Sequence, residues 1–162
     1  LILILIFIPN VLFAGSMKAI GSKGKESEVN RVIKVLMYDN YYQPNNFKIE
    51  KHETIKFIVT NKGELVHEFN IATKEMHLKH QPEMMMMVEH EILLADKIDK
   101  KKMMEMSKKN PAMAHSHSNS VLLSPGEKAE LIWKFSNTVD IEAACNVPGH
   151  YDVGMIAKID NI

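Results

Sequence analysis

Cys145, His150 and Met155 stand at C-x4-H-x4-M spacing near the end of a 162-residue chain. A thiolate, an imidazole and a thioether so spaced suit a loop between two final strands, which can fold back and turn all three toward one point. One more imidazole from a neighbouring strand would complete a trigonal His₂Cys set with a weak axial thioether, the donor set of a blue-copper electron-transfer centre. His67, at the head of a strand that follows a turn, is the candidate. Thiolate and thioether favour Cu(I), whereas imidazole also suits Cu(II), so a site held between the two preferences needs little rearrangement when an electron moves. A lone Cys can instead be a small buried hydrophobe, and a zinc site would take a harder or second thiolate ligand in place of Met. The combined spacing, with His-Glu-Phe upstream, favours copper.

The middle of the chain carries more soft donors. Nine of the 12 Met and five of the 8 His lie between residues 72 and 120. His77, His80, Met84, Met87, His90, Met103, Met106, Met113, His115 and His117 are candidate ligands for a second copper, expected as Cu(I) from metal-ligand preference. His77 and His80 share a face if that stretch is helical, with Met84 one turn further on, and Met103 and Met106 have the same i,i+3 relation. Two plainer readings compete. The methionines can be adaptable filler between a helix and the body of the protein, or the segment can be solvated, as the run Lys100 to Lys102 suggests.

Positioning these side chains requires strands. Val32 to Tyr38 is β-branched and apolar, Phe47 and Ile49 alternate with polar neighbours, and Ile55 to Thr60 ends at the turn sequence Asn61-Lys62-Gly63. Val66 to Ile71 puts His67, Phe69 and Ile71 on one face. Ser120 to Leu123, Ala129 to Phe135, Ile141 to Cys145 and Gly154 to Ile159 complete seven or eight short strands with turns between them, the pattern of a β-sandwich. Glu83 to Met106 is made of helix formers without Gly or Pro, so part of it is expected as an amphipathic helix, ended by Asn110-Pro111. The expected organisation is a single domain over 31–162, interrupted by a partly helical insertion over 72–120.

Residues 1–16 read differently. Leu1 to Ile8 is an unbroken apolar run, Val11 to Ala14 extends it, and Ala14-Gly15-Ser16 suits signal peptidase, so the segment reads as a secretory signal truncated at its N-terminus. A membrane anchor is the alternative, although Pro9 and Asn10 interrupt a run already short for a span. Cleavage would leave no stable membrane span and an exported, periplasmic protein. Residues 17–30, rich in Lys, Ser, Gly and Glu, are expected to be a flexible tail. Lys+Arg and Asp+Glu number 20 each, a balance that argues against a nucleic-acid partner. The single Cys excludes an intramolecular disulfide.

Tyr41-Tyr-Gln-Pro44, Phe47-Lys-Ile49, Asn61-Lys-Gly63, His67-Glu-Phe69, Ser124-Pro-Gly126 and Cys145-Asn-Val-Pro-Gly-His150 resemble the cupredoxin family. Within it they are most similar to exported plastocyanin- and azurin-like proteins, including copper-resistance cupredoxins with a Met/His-rich insertion. The resemblance covers roughly 30–71 and 120–162. It implies an all-β Greek-key sandwich and a type 1 copper held by His67, Cys145, His150 and Met155. The turn Lys51-His52-Glu53 departs from the family by lacking a Gly, and the insertion is absent from small electron carriers.

Three functions follow as expectations. The first is single-electron transfer in copper tolerance, with a redox or copper-handling protein as partner. The second is a non-redox copper carrier or buffer built on the insertion. The third is Cu(I) oxidation at a second site there, although the many-His cluster of a trinuclear oxygen-reducing site is lacking.

Overall fold

The computed structural model describes residues 17–136 and 138–162; the expected signal segment lies outside them. The strands are β1 (Gly21–Lys23), β2 (Arg31–Tyr38), β3 (Tyr41–Gln43), β4 (Asn46–Ile49), β5 (Thr54–Asn61), β6 (His67–Ala72), β7 (Ser120–Leu123), β8 (Lys128–Phe135), β9 (Glu142–Ala144) and β10 (Ile156–Asn161). Between β6 and β7 lie helices α1 (Lys74–Glu89) and α2 (Lys100–Ser107) and a 3₁₀ turn at Pro111–Ala114. One five-stranded sheet runs β1-β8-β5-β2-β3 and the other β4-β10-β9-β6-β7. β2 pairs with β5 in parallel, as does β4 with β10, and the remaining neighbours are antiparallel.

Period-2 alternation drives the packing. Ile55, Phe57 and Val59 of β5 face inward and meet Phe69 and Ile71 of β6 and Phe47 and Ile49 of β4 in one core. Phe47, Phe57 and Phe69 touch edge to face or tilted, with ring centroids 5.3–6.1 Å apart. Each such pair contributes roughly 0.5–1.5 kcal/mol beyond the area it buries. The turn after β4 forms without glycine because His52 itself takes the left-handed conformation, at φ 62°.

Two expectations are corrected. Residues 17–30 are not a free tail: Ile20 is 1% exposed within the core, β1 pairs with β8, and the Trp133 indole donates to the Ile20 carbonyl at 3.2 Å. The signal overlooked was one large apolar residue inside a polar stretch. The helix expected within 83–106 is instead two. α1 starts earlier, where the Thr73 hydroxyl caps it by accepting from Met76 N–H at 3.2 Å, and it runs through Pro82. An internal proline costs a helix about 3 kcal/mol; here burial of His77, Met84 and Met87 along α1 offsets it. The helix ends where Glu91 turns left-handed, at φ 51°. The amides of Ile92 and Leu93 then both reach back to the Met87 carbonyl.

The insertion has a hydrophobic core of its own. Met84, Met87 and Met113 are buried with Val66, Ile92, Leu93 and Ile98, and Met86, Met103 and Met106 pack against them. A backbone bond from Val66 N–H to the Ala95 carbonyl (2.7 Å) and a bond from Ile98 N–H to the Ser124 side-chain Oγ (3.1 Å) tie it to the sandwich. All six residues of β6 are consequently buried: the sandwich core covers one face and the insertion lies over the other.

Candidate metal centre

His67 opens β6, immediately after the turn that begins at Asn61. The Asn61 side chain accepts from Gly63 N–H at 2.9 Å and donates to the carbonyls of Leu65 and Leu123, which fixes the approach to His67. Gly63 is required for clearance, because a Cβ there would collide with the Asp39 carboxylate and come within 2.9 Å of His67 Nε2. Asp39 accepts from the backbone amides of Glu64 and Leu65 and lies 2.8 Å from His67 Nε2. A proton held at Nε2 by this carboxylate leaves Nδ1 with its lone pair facing inward.

Nδ1 of His67 faces Cys145 Sγ at 4.0 Å, and His150 Nδ1 approaches the same sulfur at 3.4 Å. The two imidazole rings are 4.9 Å apart. Cys145 and His150 are brought together by a tight loop, in which His150 N–H donates to the Val147 carbonyl and Met155 N–H to the His150 carbonyl. Gly149 takes φ 87° in that loop, a conformation that strains other residues. Cys145 N–H donates to the Met155 carbonyl at 3.2 Å, which pins the loop's two ends together. Met155 is wholly buried in the sandwich core alongside Cys145.

Burial pushes the Cys145 thiol up to about 12, so a metal ion must displace a proton to bind there. Burial also lowers both imidazoles, and His67 lowers His150 further. Both are therefore largely neutral at pH 7, as ligands must be. A buried sulfur facing two neutral, converging imidazoles fits a thiophilic transition metal such as copper.

A second cluster lies across β6. His80 of α1 and His115 and His117 beyond the 3₁₀ turn have ring centroids 5.0–5.2 Å from one another. Each of these, with Glu83, offers one ligand atom within 4.8 Å of the others. His80 and Glu83 share a helix face at i,i+3, with His80 Nδ1 3.3 Å from one Glu83 oxygen, while His117 Nε2 is 2.8 Å from the other. Beneath them Glu68 is 0% exposed, its Oε1 lying 3.1 Å from His80 Nε2 and 3.0 Å from His115 Nε2. Burial opposes the charge on both partners. Even so, Glu68 and Glu83 raise His80 to about 10, His115 and His80 hold Glu68 well below the usual carboxylate range, and His117 and His80 hold Glu83 at about 2. An open pocket lined by Asn70, Met76, His80, Glu83 and His117 gives access.

The other candidates from the middle of the chain lie elsewhere. His77 is buried, with Nδ1 3.1 Å from the Asn146 amide nitrogen and its ring 5.6 Å from that of Tyr151. His90 caps the end of α1, with Nδ1 2.9 Å from the Met86 carbonyl oxygen. Met84, Met87, Met103, Met106 and Met113 belong to the insertion's hydrophobic core. Sequence reasoning overlooked Asp39, Glu68, Glu83 and Asn146. Glu83 was accessible as the i+3 partner of His80. Glu68 was accessible as the residue that must point away from His67 on the same strand.

No family model matches the chain. It is 34% identical over 148 residues to the copper-resistant cuproprotein CopI of Pseudomonas aeruginosa, covering 88% of this chain and 82% of that protein. It is 29% identical to the Vibrio cholerae protein of the same name, over 89% of this chain and 73% of the relative. Among solved structures, auracyanin B aligns with a TM-score of 0.60 at 11% identity, covering 88% of this chain and 96% of its own. Auracyanin from Roseiflexus castenholzii aligns at 0.56 and 15%, covering 83% and 98%. The chain therefore belongs to the copper-resistant cuproprotein CopI family and has the cupredoxin fold.

Proposed function

We propose that the protein is an exported copper-resistance protein that binds copper and transfers single electrons through a type 1 centre at His67, Cys145, His150 and Met155. The observation that carries this reading is the approach of two imidazole Nδ1 atoms to one buried thiol, at 3.4 and 4.0 Å. Copper, when bound, supplies a one-electron couple there. Cys145 would provide the thiolate and His67 and His150 the imidazole nitrogens, with Met155 as a weak thioether donor. Asp39 keeps His67 in the tautomer that presents Nδ1, and the Glu68 amide donates to Cys145 Sγ at 3.3 Å. Such outer partners orient the ligands and tune the sulfur. His150 is half-buried, and Val153 near it is 65% exposed; this end of the molecule is where a redox partner would dock. The copper-loaded protein should show an intense visible thiolate-to-copper band that a reductant bleaches reversibly, with copper retained. A folded, copper-loaded protein without that band would refute the reading.

The convergence of His80, Glu83, His115 and His117 favours a second copper. Imidazole and carboxylate suit Cu(II), and the Met76 thioether lines the same pocket. Copper counting should give one equivalent fewer in the His80→Ala/His115→Ala double variant. An unchanged count would refute it.

A further inference from the structure

The two clusters are joined by two pairs of consecutive residues. His67 and Cys145 turn into the sandwich, while the residues that follow them, Glu68 and Asn146, turn to the other side and hold each other there. One Glu68 oxygen lies 2.7 Å from Asn146 Nδ2 and 3.3 Å from Asn146 N, while the other accepts from Asn70 at 3.2 Å and meets His80 and His115. The same residue's backbone N–H donates to Cys145 Sγ at 3.3 Å, and its carbonyl accepts from the Tyr42 hydroxyl at 2.6 Å. Glu68 therefore touches the sulfur with its main chain and the insertion's histidines with its side chain.

We infer that Glu68 is a positioning residue that couples the two centres, so that filling the insertion's cluster alters the hydrogen bond to Cys145 and with it the potential of the thiolate centre. This rests on reading the insertion's cluster as a metal site. His80 and His115 are at once candidate ligands and partners of Glu68, so a metal ion there must either take the carboxylate as a ligand or leave it to find new partners. Asn146 and Asn70 would still hold it, but with no exposed surface Glu68 has no water to replace the imidazoles, and a buried carboxylate that loses its charged partners is costly. The strain passes to the one-residue link between its side chain and its amide. Linkage makes the coupling reciprocal: the redox state at Cys145 must change metal affinity at the insertion by the factor that metal changes the redox equilibrium.

Zn(II) tests this without adding a second redox couple. Protein carrying one copper, with the visible band developed, is titrated with Zn(II) while band position, reduction potential and Zn(II) uptake are followed. The expected result is uptake of one Zn(II), a shifted band and a raised potential. Zn(II) affinity should be about fivefold tighter in the reduced protein, at the lower end of common coupling factors. This corresponds to about 40 mV at the 59 mV per tenfold of a one-electron couple. Glu83→Gln should weaken Zn(II) binding yet keep the shift at saturation. Glu68→Gln, saturated with Zn(II), should lose it, whereas the field of the added charge alone would act in both variants. Because Glu68→Gln could fail to fold, the affinity ratio between reduced and oxidised wild-type protein stands as an independent measure. Absence of Zn(II) uptake would overturn the metal-site reading and the coupling with it. Uptake with unchanged band, potential and affinity ratio would overturn the coupling alone, and a full shift in folded Glu68→Gln would overturn the part given to Glu68.

Discussion

At the Cys145 end of the sandwich the converging groups are a thiol and two imidazoles, buried or half-buried and largely neutral at pH 7. Across β6 the converging groups are three imidazoles and a carboxylate beside an open pocket, with His80 paired to Glu68 and Glu83. The first arrangement is assembled by a cupredoxin loop whose backbone bonds hold it closed. The second is assembled by an insertion that packs its own apolar core and lends one helix face to the site. On the proposed reading, the sulfur-bearing centre would pass an electron with little movement. The other is charged and borders a pocket, and on the same reading would take up an ion in exchange for protons. The difference shows how one sandwich can serve two clusters: the residues after His67 and Cys145 point outward, and a covering element needs only to meet them there.

Substitutions can separate the two halves of this comparison. Cys145→Ala should abolish the visible band completely while leaving Zn(II) uptake at the insertion intact, measured by absorption and calorimetry. Loss of both would mean that the centres are one. The His80→Ala/His115→Ala variant should do the reverse. Its band should persist while affinity at the insertion falls by more than the roughly 10–100-fold typical of losing an outer partner. Met84→Ala should cost about 2–5 kcal/mol in denaturant unfolding, the usual range for a buried Met, with copper stoichiometry unchanged in the folded fraction. A changed stoichiometry would assign Met84 to a metal rather than to the core. Asp39→Ala frees His67 to take the wrong tautomer and should weaken copper binding at the thiolate centre by about 10–100-fold; unchanged affinity would make the Asp39 contact incidental. The smallest effect is expected from Met155→Leu, which should keep its copper and shift the potential upward, as a weak thioether donor implies. Loss of copper from the folded variant would make Met155 a principal ligand.

How much of this was legible beforehand follows sequence distance. Cys145 and His150 lie within one loop, so their spacing alone suggested convergence, and alternation along β6 turned His67 toward them. The sandwich was legible for the same reason, since period-2 burial in β5 and β8 is a local signal. Asp39 was not, because its bond to His67 joins positions 28 apart in sequence; the outward direction of Glu68 followed from alternation, but its contact with Asn146, 78 positions away, did not. Nothing local marks such pairs. The methionines misled in the opposite direction: their type suggested soft-metal ligands, while Met84, Met87 and Met113 are buried among Val66, Ile92 and Leu93. A long insertion must bury apolar surface of its own to be ordered, and Met serves well at that. α1 was placed too late because Pro82 reads as a boundary, and the Thr73 cap with a buried face outweighed it.

A copper titration followed by visible absorption and bound-metal counting together tests the central claim, that one thiolate centre and one separate nitrogen–oxygen centre lie on either side of β6. The account predicts that bound Cu(II) rises to two equivalents while the intense thiolate band reaches its maximum with only one of them at Cys145. A folded protein that takes up copper without developing the band, or whose band grows in proportion to both equivalents, would contradict it.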